Sequence, residues 1–382
     1  MTGKKDEGFW SSVVGNVELS IGEIIEVLPL IPTEQAVMIW GGPGLGKTRA
    51  PEVVAKNIDA NFRVIVTSTY EPTDIGGVPI PITNEDGAIK FVRYLVAKWA
   101  YDATVQSSDD KPMILLFDDI TTSHEQVQAA CYRLFLDREI GDLKLRDNVR
   151  LIAAGNRPED NAATHEMPTP LGNRLLHLYA KAEVKSWINW ALEEGNIHPW
   201  LIGFIRTRND LLNTFKPDSA EKAFATPRSI EMLSKLLYSL EKHNKINQSV
   251  IRYKLASGLV GNGWALEFFQ FVKIADKAIP PEEIAKDPEN VTIPSENEID
   301  LLHATIASCE SYLKENVDKW EAFAIYTFRL QLEFGILLSQ SIASVIIKEL
   351  KNNSELTKTL ASNKNAQKMF DTYSKYFTFK LS

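Results

Sequence analysis

The stretch Gly41-Gly-Pro-Gly-Leu-Gly-Lys-Thr48 decides how the rest of the chain is interpreted. It matches the pattern GxxxxGK[ST] in full, between an apolar strand-like run and a helical pattern. The glycines let successive backbone N–H groups point at one cluster of oxygens, Lys47 neutralises phosphate charge, and the Thr48 hydroxyl suits Mg²⁺. The motif therefore predicts a site for ATP and Mg²⁺. The residues expected to hold the nucleotide are Gly41, Gly42, Pro43, Gly44, Leu45, Gly46, Lys47 and Thr48.

Around this motif, residues 36 to 180 alternate short apolar runs with helical patterns, which is typical of a parallel sheet covered by helices. Their near-continuous hydrophobicity suits strands that are buried on both faces. We therefore expect an α/β fold of the P-loop class, with a parallel sheet flanked by helices. The predicted strands are AVMIW (36–40), RVIVT (63–67), MILLF (113–117), VRLIAAG (149–155) and LLHLYA (175–180).

Two insertions and one helix start can also be predicted. Residues 76–93 contain two β-like runs around a Glu-Asp-Gly turn and predict a hairpin inserted after the second strand, and residues 138–148 predict a shorter hairpin. The segment Ser20-Ile-Gly-Glu23 has the capping-box pattern that opens helices.

Beyond about residue 183 the pattern becomes helical. We predict an N-terminal extension over 1–17, an α/β nucleotide-binding core over 18–182, a helical lid over 183–278 and a C-terminal helical region over 279–382. In the last region, a loop rich in Pro, Glu and Asp (279–297) is expected before helices 298–314 and 317–351.

The cysteine content, net charge and apolar runs of the chain argue against several classes of protein. Of the 382 residues only Cys131 and Cys309 are cysteines, and neither belongs to a CxxC pair, which argues against a disulfide framework or a thiolate zinc site and favours the cytoplasm. The net charge of −8 makes nucleic acid an unlikely partner for the molecule as a whole. No apolar run approaches the length of a membrane helix, and the segment MTGKKDEGFW lacks a signal-peptide core.

Paired carboxylates follow the apolar run MILLF at Asp118 and Asp119. One carboxylate at the end of a strand can join Thr48 in holding Mg²⁺, and the next can orient the attacking water. Asp118 is thus the predicted metal ligand and Asp119 the predicted catalytic carboxylate, with Glu125 as the alternative.

Three further polar residues are candidate catalytic groups. Asn156 ends the fourth predicted strand, where its side chain would reach the γ-phosphate side of the site. Arg174 precedes the fifth strand, and an arginine there suits the site of a neighbouring subunit, with Arg157 and Arg138 as rivals. Arg228 opens a helix, where its charge opposes the helix dipole, so a phosphate-binding role is favoured.

In this order, the motifs resemble the MoxR group of AAA+ ATPases over most of residues 18 to 270. The resemblance is carried by the P-loop, QVQAACYRLFLDREIG, LIAAGNRPEDNAATHEMPTPLGNRLLHL and ATPRSIEML. It implies Walker A at Gly41–Thr48, Walker B at Asp118 and Asp119, sensor 1 at Asn156, an arginine finger at Arg174 and sensor 2 at Arg228. It also implies a hexameric ring that acts on a protein client, in many relatives with a von Willebrand factor A domain protein. Asp119 stands where the family usually has Glu, which puts the turnover rate in question.

The sequence is therefore compatible with three functions. The first is a protein-remodelling ATPase with chaperone-like activity. The second is a nucleic-acid motor or loader, for which the first hairpin offers few basic residues: Lys90, Arg93 and, nearby, Lys98. The third is a slowly hydrolysing, nucleotide-controlled scaffold, which the shorter side chain of Asp119 would suit.

Overall fold

The structure is a computed structural model that describes residues 17–104, 111–160, 165, 167–350 and 363–376. Its contacts divide the chain into two compact units. The first contains the described residues up to Ser186 together with Phe215–Ala220 and Thr226–Arg228, and the second contains the remainder. Within the described residues, none of the helices combines the length and apolar character needed to span a bilayer. The domain boundaries predicted above stay a prediction.

One parallel sheet organises the first unit. The strands in the described residues are β1 Glu18–Ser20, β2 Val37–Trp40, β3 Asn61–Val66, β4 Val78–Thr83, β5 Ile89–Leu95, β6 Met113–Asp118, β7 Glu139–Ile140, β8 Leu143–Lys144, β9 Val149–Gly155 and β10 Leu176–Lys181. Six of them form a sheet in the order β1-β10-β2-β9-β6-β3, and every neighbouring pair is parallel. All five predicted strands are present. The edge strand β1 was not predicted, because three residues are too few to show a strand pattern.

Both predicted hairpins are confirmed. Strands β4 and β5, which lie between β3 and β6 in the chain, pair antiparallel with each other. Strand β7 pairs antiparallel with β8. The first hairpin is longer than predicted, because β5 continues to Leu95.

Helices cover the sheet and make up most of the second unit. They are α1 Ile21–Val27, α2 Arg49–Asn57, α3 Pro72–Gly76, α4 Lys98–Asp102, α5 Glu125–Asp137, α6 Thr169–Gly172, α7 Val184–Glu193, α8 Pro199–Thr207, α9 Pro227–Lys242, α10 Ser249–Val260, α11 Asn262–Ala275, α12 Pro281–Lys286, α13 Ile299–Glu315, α14 Trp320–Thr327, α15 Leu332–Leu350 and α16 Lys364–Tyr373. The predicted capping box opens α1: the Glu23 N–H donates to the Ser20 hydroxyl, and the Ser20 N–H donates to the Glu23 carboxylate. The predicted fold class, a parallel sheet flanked by helices and followed by further helices, is confirmed.

The sheet is buried on both faces, because alternate side chains of its strands enter two different cores. Met38 points to a core that α5 closes with Val127 and Leu134. Val37 and Ile39 point to the opposite core, which is closed by the buried side chains of α1 and α2. This double burial explains why the central strands are apolar along their whole length.

Two predictions for the C-terminal region are wrong. The expected loop over 279–297 contains α12, and the expected helix over 317–351 is interrupted between α14 and α15. At the interruption, the Arg329 guanidinium donates to Pro288 O at 2.6 Å and to Val291 O at 2.8 Å. These partners lie about forty residues earlier in the chain, so a helical periodicity could not reveal them.

Candidate nucleotide-binding site

The glycine-rich loop begins where β2 ends, in the middle of the sheet. The Gly41 N–H donates to Gly155 O at 3.2 Å, which ties the loop to the end of β9. Gly44 has φ +72° and Gly46 has φ +100°, a backbone region that side chains with a Cβ rarely adopt. At Gly44 the space is also closed, since a Cβ there would lie 2.5 Å from Thr226 Oγ1. The glycines are therefore required by backbone conformation and, at Gly44, by a close approach.

The side chain of Lys47 folds back onto the first residues of the glycine-rich loop. Its ammonium donates to Gly41 O at 2.7 Å, to Gly42 O at 2.9 Å and to Asn156 Oδ1 at 3.0 Å. Within the described residues no carboxylate lies at ion-pair distance from it, and the residue is only 8% exposed. Burial lowers the pKa of Lys47 to about 8, although the negative charge of Asp118 acts in the opposite direction. The site thus holds a buried positive charge whose direct partners are neutral oxygens.

The two residues predicted to bind Mg²⁺, Thr48 and Asp118, contact each other directly. The Thr48 hydroxyl, at the start of α2, donates to Asp118 Oδ2 at 2.7 Å. The other carboxylate oxygen of Asp118 accepts the Asp119 N–H at 3.1 Å. Thr67, directly after β3, donates to the Asp118 main-chain oxygen at 2.8 Å. The ends of β2, β3 and β6 are therefore joined at one residue, Asp118.

Asp119 has the left-handed backbone conformation, with φ 56° and ψ 32°. Asp is one of the few residues that adopts this conformation at modest cost. Burial, and then the neighbouring charge of Asp118, raise the pKa of the Asp119 carboxyl, while Lys47 and Arg228 lower it. Among the described residues, no hydrogen-bond donor contacts this carboxyl group, so it is available to a water molecule.

Asn156 lies directly after β9 and faces the same end of the sheet. Its side-chain oxygen accepts the Lys47 ammonium, and its N–H donates to Thr121 Oγ1 at 3.1 Å. Gly155 permits this approach, because a Cβ there would lie 2.6 Å from Thr121 Oγ1. The structure therefore brings together Lys47, Thr48, Asp118, Asp119 and Asn156.

Arg228 is also near this group. Its N–H donates to Gly44 O at 3.2 Å, and its positive charge lowers the pKa of both Lys47 and Asp119. Its side chain is exposed at the first turn of α9.

Arg174 lies at the opposite end of the sheet. It comes two residues before Leu176, which pairs with Val37 at the start of β2. Gln35 Nε2 donates to Arg174 O at 3.0 Å, so the Arg174 backbone lies beside the residues that precede β2. Gly41 is six positions after Gln35, which corresponds to roughly 20 Å at the rise of an extended strand. Within the described part of the chain the Arg174 guanidinium has no hydrogen bond or ion pair.

Of the alternative residues, the two arginines are bound by other groups of the chain. The Arg138 guanidinium donates to the main-chain oxygens of Thr33, Arg146 and Val149. Glu125 is exposed in the first turn of α5.

The other rival of Arg174, Arg157, pairs with two carboxylates, Asp160 at 3.3 Å and Glu18 at 3.2 Å. Both its guanidinium and that of Arg138 are therefore held by groups of their own chain.

Several residues of the site were not predicted. They are Thr67, Thr121, Asp160, Phe215 and Thr226. Thr67 had a usable signal, since it is a polar residue at the carboxyl end of a parallel strand, as Asp118 and Asn156 are. Phe215, which a Cβ on Gly42 would approach to 3.5 Å, has no local signal in the sequence.

The site suits ATP with Mg²⁺ on three grounds. Lys47 supplies a buried charge with no carboxylate at ion-pair distance among the described residues, and Gly44 and Gly46 have the positive φ that is typical of loops whose backbone N–H groups bind anions. Thr48 and Asp118 are hard oxygen ligands, and Mg²⁺ is commonly held by one or two protein oxygens together with phosphate oxygens. Among the described residues, no group of three or more His, Cys, Asp or Glu is placed to hold a metal ion by protein ligands alone.

Comparison with known proteins gives matches only among solved structures. No protein-family model and no curated protein matches the chain. A Cytophaga hutchinsonii protein described as a candidate ATPase is 16% identical, with 82% of this chain and 77% of that chain covered and a TM-score of 0.30. The Thermotoga maritima RuvB Holliday junction branch migration motor is 15% identical, with 78% and 85% covered and a TM-score of 0.35. NtrX from Brucella abortus is 15% identical, with 90% and 71% covered and a TM-score of 0.38. At these values the similarities carry no information about activity or partner.

Proposed function

We propose that the chain is an ATP-hydrolysing ring ATPase of the AAA+ class, related to the MoxR group, that remodels or activates a protein partner. The observation that carries the proposal is the convergence of Lys47, Thr48, Asp118 and Asn156 through hydrogen bonds of 2.7 and 3.0 Å at the carboxyl ends of adjacent parallel strands. This edge of an α/β sheet is where such folds bind ligands.

Each residue has a distinct part in the proposed reaction. Bound ATP with Mg²⁺ supplies the phosphoryl group that is transferred to water. Lys47 neutralises phosphate charge, and Asn156 orients its ammonium through their hydrogen bond. Thr48 and Asp118 hold the cation. Asp119 orients the water and accepts its proton, a role that its raised pKa favours because a stronger base accepts a proton more readily.

The ring is proposed from the position of Arg174. A side chain at the far end of the sheet does not reach the phosphate of its own subunit, whereas a neighbouring subunit can present its nucleotide there. Arg174 would then stabilise the charge of the transition state in trans. A closed ring, with six copies in the related family, satisfies this requirement at every interface.

A protein client is proposed from the charge and the first hairpin. The net charge of −8 opposes binding to a polyanion. The β4–β5 hairpin exposes apolar side chains on both of its faces, including Ile80, Phe91, Tyr94 and Leu95. Such side chains suit contact with protein, and a partner with a von Willebrand factor A domain is the form that the MoxR resemblance suggests.

A second candidate function is the slow, nucleotide-controlled scaffold. It is favoured by the short side chain of Asp119, whose carboxyl group no described residue orients by a hydrogen bond.

The test is steady-state ATPase activity of the wild type and of Lys47→Ala, each with and without duplex DNA. We expect activity in the wild type, none in Lys47→Ala, and no stimulation by DNA. Equal turnover in the two proteins would contradict the nucleotide site, strong DNA stimulation would favour a nucleic-acid motor, and ATP binding without turnover would favour the scaffold.

A second experiment tests the ring. Arg174→Ala subunits and Lys47→Ala subunits are each expected to be inactive, while mixed rings should recover activity at interfaces that pair an intact loop with an intact arginine. Because an arginine in trans is worth about 10³ to 10⁵ in rate, even partial recovery should be measurable. Mixed rings that form but remain inactive would exclude Arg174 as the trans residue.

A further inference from the structure

The segment that carries Arg174 is tied to the strand that leads into the glycine-rich loop. Gln35, just before β2, donates through Nε2 to Arg174 O at 3.0 Å. The Leu176 N–H donates to Ala36 O at 2.9 Å. Both contacts hold the segment near the start of β2, at the end away from the loop.

A second connection starts from the other end of β2. Trp40 directly precedes Gly41, and its indole Nε1–H donates to His177 Nδ1 at 2.7 Å. His177 Nε2 lies 2.7 Å from Gly172 O, two residues before Arg174. An indole N–H only donates, so Nδ1 is the acceptor and Nε2 carries the proton that is donated to Gly172 O. One neutral imidazole therefore bridges the last residue before the loop and the segment that carries Arg174.

Stacking defines the orientation of this bridge. The Trp40 ring is nearly parallel to the His177 ring, at 16° and 6.0 Å between centroids, and to the Tyr179 ring, at 15° and 6.4 Å. Both histidine nitrogens are used, and each has one partner that fits its protonation state. Trp40 and Gly172 are thus connected through two hydrogen bonds and one rigid ring.

We propose that Trp40 and His177 are positioning residues that hold Arg174 in the orientation needed at a neighbouring subunit's nucleotide. The proposal rests on the ring function proposed above. Neither residue touches the nucleotide of the neighbour, and both act through the Gly172–Arg174 segment.

The experiment places His177→Ala in one kind of subunit at a time within mixed rings. In rings of Lys47→Ala and Arg174→Ala subunits, only the Lys47→Ala subunit offers an intact arginine, and only the Arg174→Ala subunit offers an intact loop. Misplacing a catalytic group by about 1 Å can cost roughly a hundredfold in rate. We therefore expect His177→Ala to lower kcat by roughly tenfold to a hundredfold in the Lys47→Ala subunit, and to leave it nearly unchanged in the Arg174→Ala subunit.

Trp40→Phe is the second variant, because it keeps an aromatic ring at this position and removes the N–H donor. It should show the same dependence on subunit. Tyr179→Phe is the matched control: it alters the other ring stacked on Trp40, makes no change to the hydrogen-bonded bridge, and should leave kcat unchanged in both subunits. Thermal unfolding and ring assembly are measured for every variant, so that a folding defect is recognised.

The outcomes separate the two proposals. If rings without the His177 substitution are active and His177→Ala or Trp40→Phe lowers kcat equally from either subunit, the positioning role is overturned and the ring function stands. If both variants leave kcat unchanged in the Lys47→Ala subunit, the positioning role is likewise overturned. If the starting mixed rings form but show no activity, the trans role of Arg174 fails, and the positioning role fails with it.

Discussion

The hydroxyl of Thr48 donates to Asp118 Oδ2 at 2.7 Å, which joins the end of the glycine-rich loop to the end of β6. The two residues are seventy positions apart in the chain, and the parallel sheet brings them together. In the proposed function a magnesium ion is held at this contact, which leads directly to the first prediction.

Thr48→Val should weaken Mg²⁺-dependent ATP binding, because it removes the hydroxyl while keeping the shape of the side chain. A hydrogen bond to a charged group is worth about 1.5 to 3 kcal/mol, so the loss of affinity should be roughly 10- to 100-fold. Titration with a fluorescent nucleotide, with and without Mg²⁺, measures it. Thr48→Ser is the control and should retain most of the affinity. An equal effect of Thr48→Val in the absence of Mg²⁺ would argue against cation binding at this place.

ATP affinity should decrease as pH rises above about 8. The pKa of Lys47 is lowered to about 8 by burial, so the free protein loses the ammonium charge in this range, and binding ATP then requires taking up a proton. Nucleotide titration between pH 7 and pH 9.5 checks this prediction. Lys47→Arg keeps its charge throughout, so its affinity, although weaker, should be independent of pH. A flat profile in the wild type would contradict the prediction.

Asp119→Asn should retain ATP and stop turnover. Asn adopts the left-handed conformation as Asp does, so the backbone is preserved while the proton acceptor is lost. Loss of a general base typically costs about 10² to 10⁴ in rate. Single-turnover hydrolysis and nucleotide titration separate the two effects. Normal hydrolysis by Asp119→Asn would transfer the role to another carboxylate, and Glu125→Gln would then be tested.

Asp119→Glu is expected to have two opposing effects. The longer side chain restores the residue that the related family usually has, which should bring the carboxylate closer to the water. However, Glu in the left-handed conformation costs about 1 kcal/mol or more in stability. We therefore expect a lower midpoint of thermal unfolding together with a turnover at least equal to that of the wild type. A drop in turnover without any change in stability would show that the shorter side chain is the fitting one.

Arg228→Gln should move the acid limb of the kcat/KM profile to higher pH. Burial and Asp118 raise the pKa of Asp119, so acidification protonates the proposed base at a higher pH than for an ordinary Asp. The charge of Arg228 lowers that pKa, and its removal should raise it further. Arg174→Gln, at the other end of the sheet, should reduce the rate without moving the limb. A shift toward lower pH in Arg228→Gln would refute this electrostatic coupling.

The sequence by itself was sufficient for five of the six strands of the sheet, for both hairpins and for the glycine-rich loop. Each depends on residues that are close in the chain: continuous apolar runs for the buried strands, a turn between two β-like runs for the hairpins, and glycines at fixed spacing for the loop. The polar residues that end strands, Asp118 and Asn156, could also be found, because the carboxyl ends of parallel strands share one edge.

Only the tertiary structure decided how distant segments meet. The bridge from Trp40 through His177 to Gly172 and the separation of Arg174 from the loop follow from strand order and register. The approach of Thr226 to Gly44 depends on where the chain before α9 is placed. Register between strands is set by packing and hydrogen bonds across the sheet, which no short stretch of sequence contains. The interruption before α15 could not be predicted from a local pattern either, since the carbonyl groups that Arg329 binds come from a distant part of the chain.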